Sequence, residues 1–210
     1  MPTLQPEWDG WVGAATGNWA TLMTATGGKS FLYQQTSQTQ AIRVAANSNN
    51  TTHVKNEVFL EFSSANTTVA TATLYIYLAN VTSGMQIRGV RGTWSNNTDN
   101  NYNDFAIDDD YFTATVVTNG WNAITLNSEA ITQLSSLGSF KIFLIEEFVH
   151  TSAGDSNSQP DASYEKSADF YFSEDDDNGP YISYTVPSLS GGTIKLDSGL
   201  IQLNSGKVIL

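Results

Sequence analysis

The chain has 210 residues, 40% of them hydrophobic, with 9 Lys and Arg against 21 Asp and Glu, a formal net charge of −12, and no cysteine. That length and apolar fraction suit one domain with a core of its own. The charge argues against nucleic acid or an anionic membrane as partner, because both are held by Lys and Arg. No apolar run approaches the roughly 20 residues of a membrane span, and disulfides, zinc-thiolate sites and thiol nucleophiles are ruled out.

Residues 1–8, Met-Pro-Thr-Leu-Gln-Pro-Glu-Trp, read as an N-terminal arm. They lack a basic segment followed by an apolar one, so no secretory signal is expected. From there to residue 187 the pattern has period two, as in half-buried strands. Strands are predicted at 56–62, 69–78, 85–91, 111–117, 121–126, 140–147, 168–173 and 181–186, each rich in β-branched or aromatic residues and bounded by turn formers. In the second, Leu74, Ile76 and Leu78 share one face, while Tyr75 and Tyr77 share the other. Segments 94–110 and 150–166 are predicted as polar loops. One short helix is expected near 128–137, with Ser128 as cap, Ile131, Leu134 and Leu137 on one side, and Gly138 as stop. Many short strands with frequent turns predict an all-β fold, an antiparallel, jelly-roll-like β-sandwich spanning residues 9–187. Sequons at Asn49, Asn50, Asn66, Asn80 and Asn96 fall in Asn/Thr-rich loops. Only 14% of the residues are charged, a surface more typical of extracellular or particle-exposed proteins than of cytoplasmic enzymes.

After Pro187 a repeat of period seven begins. Thr193-Ile194-Lys195-Leu196-Asp197-Ser198-Gly199 is followed by Leu200-Ile201-Gln202-Leu203-Asn204-Ser205-Gly206 and then Lys207-Val208-Ile209-Leu210. Each unit is a short strand plus a Gly-ended turn. As a meander, the odd period leaves apolar residues on both sides. As a parallel solenoid, Ile194, Ile201 and Val208 form one ladder and Leu196, Leu203 and Leu210 another. Either geometry needs a partner, so residues 188–210 are expected to dock or to join subunits into a homo-oligomer.

Catalytic signatures are absent. His53 and His150 sit in polar contexts and read as surface histidines. There is no nucleophile elbow, no His-Glu-x-x-His helix and no phosphate-cradling loop. Glu146 and Glu147 are adjacent on a strand and point to opposite faces, which disfavours a glycosidase pair. No catalytic residue is assigned, no cofactor is expected, and an enzyme is not. The acidic runs Asp108-Asp109-Asp110 and Glu174-Asp175-Asp176-Asp177 offer oxygen ligands. Structural calcium is conceivable if the loops around Asp109 and Asp176 meet; otherwise they are solvated loops that discourage edge aggregation. Trp8, Trp11, Trp19, Trp94 and Trp121 chiefly suit core or rim plugging. Trp94, beside the Asn-rich loop, and Trp121 are the candidates for stacking on a surface glycan.

Several segments together resemble a known family. They are Asp9-Gly10-Trp11-Val12, Val58-Phe59-Leu60-Glu61-Phe62, Ala72-Thr73-Leu74-Tyr75-Ile76-Tyr77, Arg88-Gly89-Val90 with Trp94, and Trp121-Asn122-Ala123-Ile124-Thr125 before the helix. Ala168-Asp169-Phe170-Tyr171-Phe172-Ser173-Glu174 and Pro180-Tyr181-Ile182-Ser183-Tyr184 close the pattern. Over residues 9–186 this resembles β-sandwich modules of the DNRLRE type, relatives of carbohydrate-binding modules. The motif that names the family is replaced here by Lys55-Asn56-Glu57-Val58-Phe59-Leu60, and none of the family's ligand residues is carried over. Related sandwiches occur in phage particle proteins, and the Gly-punctuated tail resembles oligomerising elements of phage fibres and decoration proteins. By that analogy the expectation is a non-enzymatic virion structural protein, made in the host cytoplasm and displayed on the virion surface among other virion proteins. The alternatives are a carbohydrate-binding module or a subunit of an extracellular filament joined by strand addition.

Overall fold

The computed structural model describes residues 1–24, 40–94, 105–136, 138–152, 159–173, 175, 177–188, 193–196, 199–204 and 207–208. In chain order the elements are β1 (Thr3–Leu4), β2 (Pro6–Thr16), α1 (Trp19–Thr24), β3 (Gln40–Ala46), β4 (His53–Ser63), β5 (Thr71–Ala79), β6 (Gln86–Gly92), β7 (Phe105–Val116) and β8 (Gly120–Thr125). They continue as α2 (Ser128–Ser135), β9 (Ser139–Glu146), α3 (Glu147–Ser152), β10 (Glu165–Phe170) and β11 (Tyr181–Thr185). The strands pair antiparallel throughout, so the chain is all-β as its period-two pattern predicts.

Two layers emerge from the pairing. One runs β2-β4-β9-β6-β7 and the other β1-β11-β5-β8, with the β3–β10 pair linking them at one side. Residues 1–8 are built into these layers: Thr3 and Leu4 pair with Ser183 and Ile182, and Pro6 already pairs with Phe62. Between the layers lies a core that includes Leu60 and Phe62 of β4, Leu74, Ile76 and Leu78 of β5, and Ile142 and Leu144 of β9. The Leu74/Ile76/Leu78 face is buried and the Tyr75/Tyr77 face points outward, as the alternation requires.

The first layer is buried on its outer face as well. Val12, Trp19, Leu22, Phe59, Trp94, Phe143, Ile145 and Val149 form a second apolar cluster there. Its roof includes α1 and α3, two helices beyond the single one expected. Each has only six residues, too short to register a helical period. Helix α2 forms where expected, but its cap is Asn127, whose side chain accepts from the Ala130 N–H at 3.0 Å. Three sequon asparagines, Asn50, Asn66 and Asn80, hold φ near +50°, the left-handed turn conformation that asparagine tolerates better than most residues. Their abundance thus has a backbone reason.

The loop expected at 94–110 is shorter than predicted, because β7 begins at Phe105 and takes in the whole Asp108–Asp110 run. Aspartate is a poor strand former, but β6 supplies the missing charges: Arg91 Nη2 lies 2.9 Å from Asp109, and Arg88 pairs with Asp110. The loop expected at 150–166 likewise gives up its ends to α3 and β10.

The C-terminal repeat forms β12 (Thr193–Leu196), β13 (Gly199–Asn204) and β14 (Lys207–Val208), a three-stranded sheet separate from the large one. It is an antiparallel meander, with Ile194 opposite Ile201 and Leu203 opposite Val208. The parallel ladder of Ile194, Ile201 and Val208 is therefore not the arrangement adopted. Leu210 lies outside the described residues.

Candidate functional site

The outer face of the second layer carries aromatic side chains in register. Tyr77 lies opposite Trp121 across β5 and β8, and Tyr75 lies opposite Tyr181 across β5 and β11. Such cross-strand pairs bring side chains into contact. The Tyr75 and Tyr181 rings stack at 4.6 Å, and Trp121 meets Tyr77 and Tyr181 edge-on, each at 5.6 Å. Tyr171 extends the row with an edge contact to Tyr77 at 5.1 Å. Trp121 stays 43% exposed; among the described residues no other aromatic side chain is in the exposed class.

Trp121 and Tyr181 border a groove of about 560 Å³ that Gln5, Pro6, Ser173, Asp175, Asp177 and Gly179 also line. That volume falls within the range of small-ligand sites. The turn is braced from within. Asp9, buried, accepts the Ser173 N–H at 2.7 Å, and Asp175 Oδ1 accepts the N–H groups of Asp177 and Asn178 at 3.2 and 2.8 Å and the Asn178 side-chain amide at 3.1 Å. A Cβ at Gly179 would sit 3.1 Å from the Asp175 carbonyl oxygen and 3.2 Å from Ser173 Cα, so a larger residue there would push the backbone of the turn apart by a few tenths of an ångström. The result is an apolar ring face beside hydroxyl, amide and carboxylate groups. That combination suits a sugar, whose ring has an apolar C–H face and a rim of hydroxyls.

Of the two tryptophans proposed for stacking, the fold separates them. Trp94 is 3% exposed and belongs to the roof of the first layer. Its Nε1 donates to Glu61 Oε2 at 2.9 Å, its ring contacts Phe59 and Phe143, and Lys141 Nζ lies 5.3 Å from its centroid. Trp94 is thus a core residue, as the plugging account has it, and cannot present a face to a glycan. Trp19 is likewise buried.

The histidines differ from expectation. His53 is 1% exposed, opening β4 beneath Trp19, with Nε2 3.0 Å from Asn50 Oδ1. It is no surface histidine: β4 starts earlier than the sequence pattern suggests, and α1 covers its odd-numbered face. His150 sits on α3 with Nε2 3.4 Å from Asp110. The two glutamates part company: Glu147 is held by Arg88 at 2.8 and 2.9 Å, whereas buried Glu146 accepts the Phe148 N–H at 2.8 Å and the Tyr164 hydroxyl at 3.1 Å. Burial raises the Glu146 carboxyl to about 7.

The two acidic runs have separate uses. Asp109 and Asp110 are taken by arginines of β6, and Asp175 braces its own turn; Glu174 and Asp176 lie outside the described residues. Among the described residues no cluster of three or more His, Asp or Glu has the arrangement of a metal site, and no helix is long and apolar enough to cross a membrane.

The sequence signal for the groove was the Tyr75/Tyr77 face of β5. A solvent face carrying two tyrosines, beside strands beginning with Trp121 and Tyr181, marks an aromatic surface; what sequence alone withholds is that the three strands are neighbours. No family model matches the chain, and no curated protein matches it either.

Proposed function

We propose that this chain is a non-enzymatic structural subunit that presents a sugar-contacting face and assembles through its C-terminal repeat. The observation that carries the first half is Trp121, left 43% exposed at the mouth of a groove that also carries the polar groups of Gln5, Ser173, Asp175 and Asp177. An exposed tryptophan costs solubility and is ordinarily buried; here it is braced by two tyrosines, so a flat apolar ligand face meets a ring already held in place. Titration of tryptophan fluorescence with a panel of oligosaccharides tests this. Binding by at least one of them, weakened at least tenfold by Trp121→Ala, is expected. Unchanged affinity in that variant would refute the assignment.

The tail supports the second half. Among the described residues its three strands bond to one another and to no strand of the large sheet, and strands of 4, 6 and 2 residues offer little apolar area of their own. The reading that fits is a virion component of a phage, such as a decoration, head-fibre or tail-associated subunit, with residues 188–210 as the joining element. An extracellular filament built by strand addition is the alternative context. Light scattering on the full chain and on a chain ending at Ser188 decides the assembly role: the full chain is expected to be oligomeric and the truncated one monomeric yet folded. If truncation leaves the oligomer intact and lowers only the melting temperature, the tail is an intramolecular brace.

A further inference from the structure

Resting on the sugar-contacting reading of the Trp121 groove, we infer that its preferred ligand is a glycan bearing free amino groups, a hexosamine oligomer, and that uronic-acid or sialylated glycans are rejected.

The inference comes from the charge around the groove. Asp175 and Asp177 line it, and Asp177 is exposed. Three of the bonds that brace the turn fall on Asp175 Oδ1. Those donors are neutral, so no ion pair in the turn offsets the two carboxylates at the rim.

No lysine or arginine among the described residues of the sandwich compensates them, because each is committed elsewhere. Arg43 pairs with Glu165, Lys55 with Glu57, Arg91 with Asp109, and Arg88 with Glu147 and Asp110. Lys141 donates to the Trp94 carbonyl at 2.7 Å and Lys166 to the Ser83 carbonyl. None of these lines the groove. The chain's net charge of −12 adds a long-range field of the same sign.

A sugar ring stacked on Trp121 therefore lies in a groove that two carboxylates also line. An ammonium on the ring gains a charge-assisted hydrogen bond to Asp177, stronger than the one a hydroxyl would make. The electron-rich faces of Trp121 and Tyr181 favour the same charge. A carboxylate on the ring meets repulsion and finds no arginine to grip it. The aromatic rings supply affinity for any sugar with an exposed apolar face; the carboxylates choose among them.

The test uses the full chain and four oligosaccharides of equal length: glucosamine, N-acetylglucosamine, glucose and a uronic acid, titrated by calorimetry at slightly acidic pH, where the sugar amine is charged. The glucosamine oligomer is expected to bind at least tenfold tighter than the glucose oligomer and to lose that margin in high salt, with the uronic acid oligomer unbound. Asp177→Asn should bring glucosamine down toward the glucose level. Equal affinity for glucosamine and glucose, tighter binding of the uronic acid, or an Asp177→Asn variant that keeps the preference would overturn the inference while the groove stands as a sugar site. Glucosamine binding that ignores Trp121→Ala would mark plain charge attraction and overturn both, as would a failure of all four to bind.

Discussion

The two outward faces of the sandwich start from the same alternation and end differently. On the first layer the odd-numbered face of β4 carries His53, Lys55, Glu57, Phe59 and Glu61, and all five are buried, beneath a roof to which α1, α3 and Trp94 contribute. On the second layer the outward face carries Tyr75, Tyr77, Trp121 and Tyr181, and it is left open. Polarity alone therefore misleads in both directions: the charged row is structural interior, and the aromatic row is surface. A roof turns polar side chains into partners that must satisfy one another, whereas an open aromatic face has work left to do with something from outside.

The sharpest way to break this comparison is at the roofed face. Lys55 Nζ and Glu57 Oε1 lie 2.9 Å apart with both side chains fully buried, and burial raises the Glu57 carboxyl while Lys55 pulls the other way. Lys55→Met should strand a buried carboxyl and cost about 3–5 kcal/mol in chemical denaturation, less at low pH, where Glu57 takes up a proton. Lys55→Met combined with Glu57→Leu should recover most of that loss, since an apolar pair of similar volume does not have to be desolvated as ions. A single variant as stable as the parent would mean that the roof admits water and that this face is not interior.

Glu146 sharpens the same contrast through pH. Its carboxyl stands at about 7 in the fold against an ordinary 4.5, chiefly from burial. The folded chain thus holds a proton that the unfolded chain has already released between those values. Stability from this group is greatest below about 4.5, falls as pH rises toward 7, and is flat above it. The difference is at most about 3 kcal/mol, at 1.36 kcal/mol for each pH unit. Glu146→Gln keeps a carbonyl to accept the Phe148 N–H and removes the titration. Relative to the parent, it should be more stable at pH 8 than at pH 4, as read from melting curves across pH. An unchanged pH profile would show that Glu146 is solvated.

How far the sequence reveals these faces depends on where the covering residues come from. Strand β5 is legible because its own alternation of Leu74, Ile76 and Leu78 against Tyr75 and Tyr77 contains the whole answer. The burial of His53 is not, since its ring packs against Trp19, distant in sequence and carried by a helix of six residues. Strand β2 hides for another reason: Gly10, Gly13, Ala14 and Ala15 give it little strand-forming character, and its pairing with β4 holds it in place. The Asp108–Asp110 run reads as a loop until Arg88 and Arg91 are placed beside it by β6. The choice between Trp94 and Trp121 could not be made locally either. Both stand near turns in polar sequence, and only the layer to which each belongs decides which one is roofed.

The smallest expected effect on stability belongs to Trp121, and its smallness is the point. Trp121→Ala removes edge contacts to Tyr77 and Tyr181 and a cross-strand partner of Tyr77, interactions worth about 1 kcal/mol together at a partly exposed site. Its ring leaves no closed cavity behind, because water already reaches 43% of the residue, so the 3–5 kcal/mol typical of emptying a buried aromatic site does not apply. Trp94, at 3% exposure with its Nε1 bonded to Glu61, is the residue at which that larger loss is due. Fluorescence separates the two without any ligand. The most exposed tryptophan emits furthest to the red, so Trp121→Ala should shift the emission maximum to the blue while the melting temperature hardly moves. Trp94→Phe should leave the maximum nearly in place and lower the melting temperature. If Trp121→Ala instead destabilised the fold as much as Trp94→Phe, the aromatic row would be packing material, and the open face would be an unroofed core rather than a surface kept for a ligand.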